Sequence, residues 1–134
     1  MSEIVEFLIR GASHVTPATV DKLLPQLPVL KAEFTQINAP KFPHLVDQLE
    51  FLADLVEDCA EGIYRDLPYT ALAEAVFALI YAHRQVDVIP DHLSPMGHAD
   101  DSGVVRAVLI RHEKPLVQYA ALQGADWNVL SAEP

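Results

Sequence analysis

Apolar residues recur along this chain at spacings of three and four, punctuated by glycine and proline, and the pattern predicts helices from end to end. Ile4, Val5, Phe7 and Leu8 form a first short run, with Ser2 placed to cap it and Gly11 to stop it. Thr16 followed by Pro17 is a second start signal, a cap residue before a proline at the first helical position, and it leads into Val20, Leu23, Leu24 and Leu27. Pro25 and Pro28 each remove a backbone donor, so 16–38 reads as two short helices or one kinked helix. A loop with two prolines, 38–43, separates this leading part, a candidate arm or lid, from the remainder.

The third helix, about 43–61, carries the clearest periodicity. Leu45, Leu49, Leu52, Val56, Cys59 and Ile63 fall on one stripe, and Asp47, Glu50, Asp54, Glu57, Asp58 and Glu61 on the opposite one, with Gly62 as the stop. Such a charged stripe is the ordinary solvated face of an amphipathic helix. The fourth helix, about 69–84, is apolar on nearly every side, which predicts a central position. Glu74 interrupts it and is expected on a surface strip shared with Tyr81, the other possibility being a paired carboxylate. Val104, Val105, Val108, Leu109 and Ile110 give a fifth helix ending near Pro115. Pro115 begins a short sixth with Leu116, Val117, Tyr119, Ala120 and Leu122, closed by Gly124. No strand pattern appears. The expected fold is all-α: one domain, a bundle of five to six helices around a central apolar helix. It divides into an N-terminal helical arm with proline-kinked segments (1–42), a compact helical core (43–124) and a C-terminal tail (125–134) that Trp127, Val129 and Leu130 dock on the body.

Composition narrows the function classes. The 134 residues are 51% hydrophobic and carry 19 acidic against 9 basic side chains, a formal net charge of -10, which disfavours nucleic acid because phosphate binding needs a basic patch. The same charge opposes anionic lipid, although peripheral membrane association stays open. The most apolar stretch, 70–82, falls short of the roughly 20 residues that cross a bilayer, so no transmembrane segment is expected. The first residues lack a basic and apolar leader, and a single cysteine suits a reducing compartment; a cytoplasmic protein is the expectation. Cys59 reads as a small core residue, and no Gly-x-Ser-x-Gly elbow is present, so a serine or cysteine hydrolase is not supported.

The segment linking the fourth and fifth helices concentrates the candidate chemistry. Asp87, Asp91, Asp100 and Asp101 crowd it together with His92 and His98. The order Asp87, then Ile89-Pro90-Asp91, then Gly97, then Asp100-Asp101 resembles the hallmark of the YkvA-like family of small bacterial helical proteins, whose activity is not established. Two departures stand out: Arg84-Gln85 replaces a Ser-Pro, and the second proline, Pro95, is displaced by one. The resemblance spans about 77–110 and implies a family, and for some members a membrane connection, more than a reaction. Physically, Asp100 or Asp101 fits an N-cap of the fifth helix, while Pro90 and Pro95 halt the fourth and Gly97 permits a turn. Asp87 and Asp91 have backbone donors, Arg84 and Arg106 as possible partners. This structural corner is the favoured reading. The alternative is a divalent-metal site, or a metal-dependent hydrolase, using Asp87, Asp91, Asp100 and Asp101 with His92, His98 or His83, although the spacing matches no ligand template. His14, His44 and His112 sit beside caps or helix ends, where surface or capping roles are expected. The chain therefore reads as a non-catalytic interaction module that binds a protein partner or itself, with no cofactor expected and no small-molecule substrate identified.

Overall fold

In the computed structural model the backbone is described for residues 3–37, 43–88 and 95–131, and side chains for those outside 84–101. Every regular element among them is helical: α1 (Glu3–Ala12), α2 (Pro17–Leu23), a 3-10 turn (Leu24–Gln26), α3 (Leu27–Thr35), α4 (Leu45–Ala60), α5 (Tyr69–Val88), α6 (Pro95–Arg111), α7 (Glu113–Gln123) and the single turn α8 (Trp127–Leu130). The all-α single domain stands, with more helices than the five or six expected, because the proline-rich leading part divides and the tail adds a turn.

Local chemistry explains most boundaries. The Thr16 hydroxyl accepts from the Thr19 amide at 3.3 Å while the Thr19 hydroxyl accepts from the Thr16 amide at 3.1 Å, a reciprocal cap before Pro17. Pro25 and Pro28 leave α2 and α3 joined by the 3-10 turn. Gly62 (φ 77) and Gly124 (φ 68) occupy the left-handed region after α4 and α7, where glycine carries no Cβ penalty. Past Gly62 the helical stripe no longer applies, and Ile63, expected on the buried face, is 70% exposed. Gly11 does not stop α1, which runs on to Ala12; it serves packing instead, since a Cβ there would lie 2.2 Å from the Phe77 ring. Ser2 lies outside the described residues.

α5 is central, packed against α1, α3, α4 and α6. Its Ala75, Val76, Leu79 and Ala82 meet Leu49, Leu52 and Val56 of α4 and Val105, Val108 and Leu109 of α6 in one cluster of buried residues. Burying each Leu or Val contributes roughly 1.5–3 kcal/mol. The leading segment belongs to the same cluster through Leu8, Val20, Leu23, Leu27, Leu30 and Phe34, and the last turn through Leu130, whose carbonyl accepts from Gln48 Nε2 at 2.7 Å. Trp127 also docks: its ring lies 6.2 Å from that of Phe51 and its indole N–H points to Glu113 Oε1 at 3.3 Å.

Two expectations about the fourth and fifth helices change. α5 continues to Val88, so Asp87 sits inside it. α6 begins at Pro95, which places Gly97, His98, Asp100 and Asp101 within that helix. Neither Asp100 nor Asp101 is the N-cap, and Gly97 does not form a turn. Proline at a first helical position forfeits an amide that has no intrahelical partner there, so Pro95 opens the helix before the aspartates are reached.

Candidate functional site

The carboxylate of Glu74 is the most deeply placed charge among the described side chains, 5% exposed in the middle of α5. It is not on a surface strip. Arg111, at the end of α6, grips it with Nε on Oε1 at 3.0 Å and Nη2 on Oε2 at 3.1 Å, the fork geometry that carboxylates match best. His112 Nε2 also lies 3.0 Å from Oε1, but off the line of a hydrogen bond. The hydrogen bond that Arg111 donates to Glu74 raises the pKa of Arg111 above its ordinary value. A cavity of about 380 Å³ reaches this pair past Ile9, Ser13, Tyr69 and Thr70. Both guanidinium nitrogens facing the carboxylate are already committed to it, so the pair closes the α5–α6 seam and offers little to a ligand.

Other groups suited to chemistry are likewise engaged. His83, a candidate ligand, sets Nδ1 2.7 Å from Glu33 Oε2. Asp58, expected on the solvated stripe, accepts from the Tyr119 hydroxyl at 2.5 Å, and burial together with that bond pushes the Tyr119 pKa up. Asp54 and Glu57 of the same stripe flank Lys31 Nζ at 2.7 and 3.5 Å. Burial and then the Asp58 charge push the Cys59 thiol up to about 11, which keeps it protonated and unreactive near neutrality. His44 and His112 occupy N-cap positions without a side-chain cap bond.

Among the described residues no group of three or more His, Cys, Asp or Glu side chains is arranged to hold a metal. Ile89, Pro90, Asp91 and His92 lie outside the described residues. For Asp87, Gly97, His98, Asp100 and Asp101 the backbone alone is described. No helix among the described residues is long and apolar enough to cross a membrane.

What the sequence did not single out is an open groove between α1 and α5. Phe7, 40% exposed, stands edge-on to Phe77 at 5.4 Å and to Tyr81 at 5.3 Å between ring centroids. These rings, Gly11 and Ile80 line a cavity of about 370 Å³ edged by Arg10 and His14. A second cavity of about 410 Å³ shares Ile80 and runs on toward α2, edged by Lys22, Thr16 and His83. Each falls in the range of roughly 300–1,000 Å³ typical of small-ligand pockets. The Phe77–Tyr81 spacing of four and the Phe7–Gly11 spacing of four were the available signals. The pairing across helices that makes them a groove is not written locally.

No family model, curated protein or solved structure matches the chain. The resemblance to the YkvA-like proteins therefore rests on Asp87, Ile89, Pro90, Asp91, Gly97, Asp100 and Asp101 alone.

Proposed function

We propose that this protein is a non-catalytic binding module whose working surface is the aromatic groove between α1 and α5. The observation that carries the reading is the half-exposed Phe7 standing over Phe77 and Tyr81 beside an open cavity, an apolar wall left open among the described residues. The engagement of Glu74, Asp58, His83 and Cys59 in packing and pairing supports a binding role over a reaction, because a catalytic acid, base or nucleophile must be accessible and unspent. The aspartate corner is, in this reading, a joint between α5 and α6.

The test is binding of the neutral fluorophore Nile red. Wild-type protein should shift its emission to the blue, and Phe7→Ser should abolish the shift while far-UV circular dichroism stays unchanged. Absence of binding, or binding indifferent to Phe7→Ser, would refute the assignment. Sedimentation of both proteins asks the accompanying question of whether a second copy fills the groove.

A further inference from the structure

We infer that the α1–α5 groove binds a small amphiphilic carboxylate, its apolar body against Phe7, Phe77 and Tyr81 and its carboxylate at Arg10. This rests on the binding-module reading above and adds to it the chemistry of the occupant.

Charge placement is the reason. The chain has 19 acidic against 9 basic residues. Even so, among the described residues no Asp or Glu lines either the aromatic cavity or its extension, whereas Arg10 and His14 edge the first and Lys22 and His83 the second. Arg10 follows Glu6 by one helical turn, the spacing at which a salt bridge normally forms on a helix surface. Among the described residues, however, neither Arg10 nor Lys22 has an ion-pair partner, while Lys31 and Arg111 both do. An unpaired guanidinium at the rim of an apolar cavity presents two parallel N–H donors, the arrangement that a carboxylate fits. A phosphate would call for more positive charge than one fixed cation supplies to this cavity. His83 is already directed at Glu33, so the extension contributes length and the Lys22 charge more than a second anion site.

The experiment uses 4-phenylbutyrate and its neutral counterpart 4-phenylbutan-1-ol, titrated into the full chain and followed by displacement of Nile red. Because Arg10 is exposed, the ionic contribution is modest: the carboxylate should bind about fivefold tighter than the alcohol. Arg10→Gln should erase that difference, the acid then binding no tighter than the alcohol. Equal affinity of acid and alcohol in wild type, or a preference that survives Arg10→Gln, overturns the carboxylate assignment while the binding-module reading stands. If neither compound nor Nile red binds, both fail together. A dimer that Phe7→Ser disperses would give the groove to a second copy and also overturn the inference.

Discussion

Replacing Arg111 with Met should destabilise the protein more than replacing Glu74 with Gln, although the two residues share one ion pair. The Glu74 side chain is 5% exposed and that of Arg111 31% exposed. Breaking a fully enclosed pair costs about 3–5 kcal/mol, because the survivor is left charged and unsolvated. In Arg111→Met the survivor is the enclosed carboxylate, which loses bonds of 3.0 and 3.1 Å and keeps only the misaligned His112, so a loss of about 3 kcal/mol is expected. In Glu74→Gln the survivor is a guanidinium that can turn toward water, and the amide oxygen still accepts one of its bonds; about 1–2 kcal/mol is expected. The double variant should fall well short of the sum, with a coupling energy of about 2 kcal/mol. Urea unfolding of the four proteins by circular dichroism measures these values. For a chain of this size Arg111→Met should also lower Tm by roughly 10 °C. A coupling below about 0.5 kcal/mol, or a larger loss for Glu74→Gln than for Arg111→Met, would refute the burial argument.

Tyr119→Phe should cost about 1–3 kcal/mol in the same urea assay, because it leaves Asp58 without its hydroxyl donor while keeping the ring contacts to Phe51 and Tyr64. The thiol of Cys59, raised to about 11 from 9.0, should alkylate with iodoacetamide at pH 8 far more slowly in the folded than in the urea-unfolded chain. The folded state holds the Cys59 and Tyr119 protons to higher pH than the unfolded one; their contribution to stability is therefore complete below about pH 9 and lost as pH rises through and beyond 11, which an alkaline series of melting curves would show. Gly11→Ala should force the Phe77 ring out of its present position, costing about 1–2 kcal/mol after the gain in helix propensity and weakening Nile red binding. If the aspartate corner is a joint that needs no ion, EDTA should leave Tm unchanged; a fall reversed by a divalent cation would restore the metal reading.

The elements that sequence made legible are those whose causes are local. The stripe of α4 needs its own residues alone, as do the Thr16–Pro17 start and the Gly62 and Gly124 stops. The central position of α5 was legible too, since a helix without a polar face has nowhere else to go. Glu74 was misplaced for the opposite reason. Its partner Arg111 is 37 residues away on another helix, and nothing next to position 74 names it. The start of α6 was misjudged because Pro95, read only as halting the preceding helix, opens this one ahead of the Asp100-Asp101 pair. The groove escaped notice because three unremarkable residues, Phe7, Phe77 and Tyr81, acquire meaning only when α1 lies across α5, which the bare Gly11 permits.

The charge of -10 misleads when taken as a total. Five of the acids are committed to named partners: Glu33 to His83, Asp54 and Glu57 to Lys31, Asp58 to Tyr119, and Glu74 to Arg111. An acidic side chain held in this way acts as a fastener between helices, and where its partner is a cation, as for Glu74 with Arg111, its field is largely cancelled a few ångströms away. The remainder of the negative charge acts at long range, where salt screens it beyond about 10 Å. Among the described residues the fixed cations that line the groove and its extension are Arg10 and Lys22, and contact energies are set by neighbours more than by totals. A protein whose overall charge repels anions thus places two unpaired cations, Arg10 and Lys22, beside an exposed aromatic wall, and that local arrangement, more than the global sum, sets the field there.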